Sequence, residues 1–229
     1  MHPVIFNTRT ESHQWSRRLG QVLGDRLSVG SQPVVHVRTG KILLPAGQAI
    51  TRLPLLLSGR LDCVLPLQDG EASSLIPISF EAGEIAMLSQ LFCNAPVWVD
   101  VVAAQDCTLH WLPVADLEKL LEADPALLLL LTRFLAHRLR DVQIRERSWV
   151  ERSVHHRVRM QLMRLAQSTE PDNRGIRTIR ATHEELSARC GVSRPKLTLE
   201  LKRLEEDGVL QRGRGCIEIL DSRWSKFQP

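Results

Sequence analysis

The stretch that decides the fold of the C-terminal part of the chain is THEELSARCGVSRPKLTLELKRLEEDG, residues 182–208. Thr182 and Glu185 form a capping box, in which each side chain accepts from an amide at the start of a helix. Gly191 ends this helix, because a left-handed residue is needed there and glycine takes that conformation freely. Ser193 is then the expected cap of a second helix. This pattern predicts a helix-turn-helix, which presents its second helix to the major groove of DNA.

The second helix has an apolar and a polar face. Leu197, Leu201 and Leu204 have the i, i+4, i+7 spacing of a buried stripe. The downstream segment VLQRGRGCIEIL predicts a β-hairpin, or wing, with Gly213-Arg214-Gly215 at its tip, where arginines suit contact with phosphates. The residues predicted to face DNA, on the helix and the wing together, are Ser193, Arg194, Lys196, Thr198, Lys202, Arg203, Arg212 and Arg214.

The charge of the chain is unevenly distributed. Residues 1–150 hold 14 Lys and Arg against 15 Asp and Glu, a net of −1, and residues 151–229 hold 16 against 11, a net of +5. Together they give the total of +4. Such an excess alone would indicate only a solvated basic face. Because it coincides with the helix-turn-helix pattern, it favours neutralisation of nucleic-acid phosphates.

The upstream part of the chain has a different pattern. Between residues 34 and 112, short apolar segments alternate with turn signals such as Asp69-Gly70, which is typical of an all-β sandwich or barrel. Pro125, capped by Asp124, opens a long helix that runs to about Val150. The sequence therefore predicts an α+β chain.

An apolar seam follows the long helix, with spacings that average 3.5 residues. A seam of this kind in a water-soluble helix usually packs against another helix. A second copy of the chain is favoured because dimers read paired half-sites about one turn of DNA apart. Packing on the chain's own β domain is the alternative. The residues of the seam are Leu128, Leu131, Leu135, Leu139, Val142 and Trp149.

Composition excludes several classes of protein. The longest apolar run, Ala126 to Leu131, is far shorter than the roughly 20 residues that span a bilayer. The N-terminus lacks the apolar core of a signal peptide, so we expect a cytoplasmic protein with no membrane partner. Five cysteines without CxxC spacing predict reduced thiols rather than a disulfide framework or a zinc site.

The order of β domain, long helix and winged helix-turn-helix resembles the catabolite activator/fumarate-nitrate regulator (CRP/FNR) family of bacterial transcription factors. The resemblance implies a jelly-roll sensor domain with flanking helices in residues 1–124, a dimerisation helix in 125–150 and a winged-helix DNA-binding domain in 151–229. It also implies a homodimer that binds double-stranded DNA at a pseudo-palindromic site, with RNA polymerase as a further partner if the protein is an activator. The segments that carry the resemblance are KILLPAGQ (41–48), LLLSGRL (55–61), FEAGE (80–84) and GVSRPKLTLELKRLEEDGVL (191–210).

The effector pocket departs from the cyclic-nucleotide-binding members of this family. Those members hold the ribose and phosphate with a Gly-Glu-Leu segment and, ten residues beyond its Glu, an Arg-Ser pair. Here Met87, Leu88, Trp98 and Val99 fall on the Gly, Glu, Arg and Ser, and Val142 on a hydroxyl position that meets the adenine. None of these side chains neutralises a phosphate, and a buried unpaired anion is costly. We therefore expect a degenerate pocket that does not bind a cyclic nucleotide.

The recognition helix also departs from the family pattern. Where the family often has Arg, Glu and Arg, this chain has Arg194, Pro195 and Leu199, so only Arg194 keeps a bidentate contact to guanine. We expect a DNA site different from the family's common half-sites. Glu200 replaces a usually apolar residue, which predicts a helix that is slightly rotated or less firmly packed.

No cofactor is predicted. The chain has no cysteine before Cys63, so the N-terminal iron–sulfur cluster of the family's oxygen sensors is expected to be absent. The family also has haem-binding members, so a haem-based gas or redox sensor is the alternative function. A redox switch at Cys93 alone is a further alternative. The nominal haem ligands are His2, His36, His110, Cys63, Cys93 and Cys107.

An enzyme on a jelly-roll scaffold is the least favoured alternative. A metal enzyme needs two or three His and a carboxylate that converge inside the barrel. No HxH or HxxxE pattern occurs between residues 34 and 112. We predict no catalytic residues, no metal ligands and no enzymatic activity.

Overall fold

The computed structural model describes residues 8–67, 74–93, 95–150, 153–167 and 169–220. The chain divides into two compact units, residues 1–65 with 76–142 and residues 66–75 with 143–229. This division falls inside the long helix, and the three predicted domains 1–124, 125–150 and 151–229 stay a prediction. No helix among the described residues is both long and apolar enough to cross a membrane.

The first unit contains the predicted β domain. It begins with α1 (Thr8–Arg26), and its strands form two antiparallel sheets with the orders β1-β7-β3 and β2-β6-β4-β5. Two helices follow the strands, α2 (Val114–Ala123) and α3 (Pro125–Val150). The predicted hairpin at Asp69-Gly70 lies outside the described residues. The strands are β1 (Val35–Val37), β2 (Ile42–Leu44), β3 (Arg52–Ser58), β4 (Arg60–Pro66), β5 (Ser74–Glu81), β6 (Asp100–Ala103) and β7 (Cys107–Pro113).

The two sheets share one hydrophobic core. Leu56 and Leu109 of one sheet and Leu61 and Val101 of the other are fully buried in the same cluster. Leu19, from α1, belongs to this cluster as well. The core therefore holds the first helix against the β domain by apolar burial, the main favourable contribution to folding.

Glycine allows α1 to approach the chain closely after β5. A Cβ atom added at Gly20 would lie 2.1 Å from the carbonyl oxygen of Gly83. Next to this contact, the buried carboxylate of Glu84 lies 3.0 Å from Nδ1 of His13 on α1. Burial acts to raise the pKa of Glu84. The hydrogen bond and charge of His13, the backbone amide of Glu81 and the charge of Arg138 together outweigh burial, and the pKa lies below its ordinary value of 4.5.

The start of the long helix is as predicted. The side chain of Asp124 accepts from the amides of Ala126 and Leu127, at 3.0 and 3.4 Å. These are amides that a helix start leaves without an internal partner. The cap at Asp124 and the first helical position of Pro125 are therefore confirmed.

The second unit contains a three-helix cluster and a small sheet. The sheet has the order β8-β10-β9, and Cys216 pairs with Gly213 to close a hairpin whose tip is Arg214-Gly215. The predicted wing is therefore present. Its core is separate from that of the first unit and includes Val158 and Leu162. The elements are α4 (Val154–Gln167), β8 (Ile176–Arg180), α5 (His183–Cys190), α6 (Arg194–Glu206), β9 (Leu210–Gly213) and β10 (Cys216–Leu220).

Candidate nucleic-acid interface

The corner between α5 and α6 is built as the sequence predicts. The hydroxyl of Thr182 accepts from the amide of Glu185 at 3.1 Å, and Gly191 ends α5 with φ of 61°. Val192 is fully buried at the corner. Ser193 occupies the cap position of α6 with an extended backbone, but its side chain makes no capping hydrogen bond. The local sequence therefore sets the path of the chain, and Ser193 leaves its hydroxyl uncommitted to the helix.

The inner face of α6 is firmly packed. Leu197, Leu201 and Leu204 are at most 1% exposed and lie in the core of the second unit. Cys190 on α5 is buried in the same core, and burial raises the pKa of its thiol to about 12. This cysteine therefore behaves as a small apolar side chain rather than as a reactive thiolate.

Glu200, the carboxylate at a usually apolar position, has a partner on α4. Its side chain is buried, and the carboxylate is paired with the imidazole Nδ1 of His155. The predicted slight rotation of α6 stays a prediction. Arg159 contacts the other ring nitrogen, Nε2, at 3.2 Å. An arginine only donates, so Nε2 accepts and the proton on Nδ1 is donated to Glu200. A polar chain thus ties the recognition helix to α4 in place of an apolar contact.

The outer face of α6 is open and cationic. Lys196, Lys202 and Arg203 are exposed. The Thr198 hydroxyl lies 3.3 Å from Nδ1 of His183. Leu199 is 71% exposed, the highest value among the exposed large apolar side chains. The helix therefore presents cations and one apolar side chain on the face that the sequence predicted for DNA.

Arg194 is an ion-pair partner as well as a predicted base reader. Its guanidinium contacts the carboxylate of Glu184 on α5, and both side chains are more than half exposed. Exposed pairs of this kind contribute little to stability. Arg194 can therefore exchange Glu184 for a ligand at low cost.

The two arginines of the wing lie in different surroundings. Arg214 is exposed at the tip, as expected. Arg212 instead donates from its backbone amide and its Nε to the carboxylate of Glu205, at 2.9 and 2.7 Å. The side-chain hydrogen bond from Arg212 holds the pKa of Glu205 below its ordinary value. Arg212 thus fastens the wing to the end of α6, and its predicted contact with phosphate stays a prediction.

Comparison with known proteins agrees with this geometry. Residues 156–223 match the family model of the Crp-like helix-turn-helix domain. The second unit holds a Crp-like helix-turn-helix domain. No curated protein matches the chain.

Solved structures of transcription regulators share the fold of most of the chain. The c-di-GMP-responsive global regulator CLP of Xanthomonas campestris is 20% identical, with a TM-score of 0.73 over 87% of this chain and 99% of that one. FixK2 of Bradyrhizobium japonicum is 16% identical, with a TM-score of 0.72 over 86% and 97%. A CRP/FNR-family transcriptional regulator of Thermus thermophilus is 23% identical, with a TM-score of 0.67 over 85% and 97%. The chain therefore has the fold of these CRP/FNR-type regulators.

The long helix of this CRP/FNR fold exposes part of the predicted seam. Leu128, Leu135 and Leu139 are 43%, 36% and 60% exposed. Leu131 is only 2% exposed and packs in the core of its own unit, so its assignment to an open seam is corrected. Val142 is half-buried. The side chain of Trp149 lies outside the described residues.

The predicted effector positions are mostly filled by their own side chains. Met87, Leu88 and Val99 are at most 5% exposed and belong to the core. Met87 keeps a left-handed φ of 61°, as its glycine counterpart in the family would allow. Trp98 is 57% exposed, unlike the other three, and its assignment to the pocket stays a prediction. The turn after β5 thus keeps a left-handed backbone at Met87 but carries apolar packing.

Five of the six nominal haem ligands lie among the described residues. His36 is exposed on β1, and Cys93 is exposed after β5. Cys63 is buried with its sulfur 3.6 Å from that of Met87, and Cys107 is buried on β7. His110, also on β7, is 5% exposed. His2 lies outside the described residues, and within those residues no group of three or more His, Cys, Asp or Glu side chains could hold a metal ion.

Sequence reasoning missed the partners of several site residues. Glu184 pairs with Arg194, His155 with Glu200 and Glu205 with Arg212. Each pair joins two different elements, and no residue spacing along one helix or strand signals it. Only Glu200 was unusual in the sequence, as a carboxylate at an apolar position.

Proposed function

We propose that this chain is a homodimeric, sequence-specific DNA-binding transcription regulator that acts on a pseudo-palindromic site. The observation that carries the proposal is α6, whose inner leucines are buried while its outer face is exposed and cationic, within a Crp-like domain. A helix held in this way enters the major groove with its early residues at the base edges.

The roles of the contact residues follow from their positions on α6 and the wing. Arg194, at the first turn, is the base reader and makes a bidentate contact to guanine once it leaves Glu184. Leu199 offers an apolar contact to a thymine methyl group. Ser193 and Thr198 supply hydroxyl contacts. Phosphates are bound by Lys196, Lys202, Arg203 and Arg214.

The dimer is proposed to form along α3. Leu128, Leu135 and Leu139 recur on one side of the helix and leave apolar surface exposed. A second copy of the same helix would bury this surface, with Val142 continuing the seam. The two recognition helices would then read two half-sites.

The effector of this regulator is proposed not to be a cyclic nucleotide. Met87, Leu88 and Val99 are buried apolar residues where such a ligand needs polar partners. An uncompensated phosphate among them would cost several kcal/mol. Haem is the alternative cofactor. An absorption spectrum of the isolated protein tests for it, because bound haem gives a Soret band. RNA polymerase is the further partner if the protein activates transcription.

Selection of bound sequences from random DNA, followed by titration in salt, tests the proposal. Four phosphate-binding cations on each protomer give eight in the dimer, so the slope of log K against log salt should be about −7. We expect enrichment of a pseudo-palindrome. Binding without sequence preference would contradict the proposal.

A substitution at the base reader sharpens this test. Arg194→Ala should cost roughly 1–3 kcal/mol of binding free energy and relax specificity at one base pair of each half-site. Arg174→Ala is the matched control, because the Arg174 side chain is also more than half exposed and ion-paired, with Asp172, but lies before β8. Uniform weakening on all sequences would make Arg194 a phosphate contact instead.

A further inference from the structure

We propose that the first unit binds an uncharged apolar molecule with one hydroxyl or N–H donor, in a cavity between α1, β3 and β7. The cavity measures about 630 Å³, within the usual range for small-molecule sites. Met87, Leu88 and Val99, which fill the region expected for a family effector, do not line it. As an effector site it rests on the proposed function, but its occupancy can be measured without DNA.

His110 is the polar group that defines the site. It lines the cavity and is 5% exposed, and its Nδ1 lies 3.2 Å from the carbonyl oxygen of Pro33. A carbonyl only accepts, so Nδ1 carries the proton and Nε2 keeps its lone pair. Within the described part of the chain, Nε2 has no hydrogen-bond partner. The site therefore offers an accessible acceptor atom, with a defined tautomer, on a side chain that is otherwise buried, and a ligand with a donor would bind to it.

The other walls favour an uncharged ligand with an apolar body. Leu55, Leu57 and Val29 supply apolar surface. Arg17 and Asp25 contribute opposite charges, and the guanidinium of Arg17 is already 2.8 Å from the carboxylate of Glu81. No net charge is thus left to bind an ion.

A metal ion is a poor fit to the same walls. His110 is the one imidazole among the cavity's described lining residues. The described residues contain no group of three or more His, Cys, Asp or Glu that could bind a metal. The acceptor on His110 is therefore assigned to an organic donor.

Two naphthalene probes test this assignment on the full chain. 1-Naphthol has the donor, whereas 1-methoxynaphthalene has the same rings without it. Isothermal titration calorimetry should give a dissociation constant for naphthol about three- to tenfold lower than that for methoxynaphthalene. This is the range expected from one net hydrogen bond. In protein labelled with ¹⁵N-histidine, naphthol should shift the Nε2 resonance of His110.

Two variants separate the acceptor from the cavity. His110→Leu should abolish the preference for naphthol, and His36→Leu, at an exposed histidine on β1, should keep it. Gly30→Phe should weaken both probes at least tenfold without touching His110. Gly30 lines the cavity and a Cβ there meets no atom within 4 Å, so a phenylalanine at the cavity wall starts without a backbone clash.

Several outcomes would overturn the proposal. These are equal or absent binding of the two probes, a naphthol preference that survives His110→Leu, unchanged binding in Gly30→Phe, and a His110-dependent Soret band on addition of haemin. DNA binding is measured separately on the same preparations. If the protein does not bind DNA but its preference for naphthol depends on His110, the proposed function is wrong and the proposed ligand site is supported.

Discussion

His155→Ala should destabilise the second unit by removing the hydrogen-bond donor of a buried carboxylate. Glu200 is 6% exposed and, among the described residues, would keep only Arg203, whose Nη1 lies 3.8 Å from Oε2, beyond good hydrogen-bond length. A hydrogen bond to a charged group contributes about 1.5–3 kcal/mol. Because the His155 side chain is 35% exposed and water partly replaces it, we expect a loss of about 1–2 kcal/mol.

Urea denaturation followed by circular dichroism measures this loss. With a slope near 1 kcal/mol per molar urea, the urea midpoint for unfolding of the second unit should fall by about 1–2 M. His156→Ala is the control, since His156 is the next residue on α4 and contacts Ser153 through its backbone amide. The control should leave the midpoint unchanged.

The double variant His155→Leu/Glu200→Leu decides whether the pair interacts. Replacing both partners by apolar groups is close to neutral, so the double variant should be more stable than His155→Ala. In the double-mutant cycle made of His155→Leu, Glu200→Leu and the double variant, the coupling energy between the two residues should exceed about 0.5 kcal/mol. Strict additivity of the single substitutions would refute the view that Glu200 is tolerated because of His155.

Three further predictions address the first unit and the dimer. Leu139→Lys should convert the dimer to a monomer in sedimentation experiments, whereas Leu129→Lys should not, because Leu129 lies about 100° around the helix from Leu128 at the start of the seam. Gly20→Ala should lower the stability of the first unit by about 1–3 kcal/mol through a clash with a backbone oxygen, while Gly30→Ala should leave the thermal midpoint unchanged. The pKa of Glu84 is lower in the folded chain than its ordinary 4.5, so its stabilising contribution is complete above pH 4.5 and is lost as the pH falls through the folded pKa. Between pH 6 and 3.5, Glu84→Gln should therefore flatten the fall of the urea midpoint relative to the unmodified chain.

Local signals in the sequence were sufficient for the helix-turn-helix. The Thr182 cap, the positive φ at Gly191 and the leucine stripe of α6 each depend on residues within one or two helical turns. The same is true of Asp124, which caps α3, and of the wing. These elements could be predicted because their hydrogen bonds and faces follow from neighbours in the chain.

Exposure and charge pairing at the site could not be predicted in this way. Trp98, expected to line a pocket, is exposed, and Leu131, expected in an open seam, is buried. Arg212, expected to contact phosphate, also pairs with Glu205. Each outcome depends on which other element packs against the residue, and one-dimensional periodicity does not contain that information.

The sequence by itself thus determined the order of the elements, the recognition helix and the basic charge of the unit that carries it. Tertiary structure alone decided which cations stay available on that helix and wing, how a carboxylate at Glu200 is accommodated, and where His110 meets a cavity. The physical reason is the separation along the chain of the residues that interact. Caps, turns and helical stripes form between residues close in the chain, whereas buried polar groups are satisfied by partners such as His155 that only folding brings within hydrogen-bond distance.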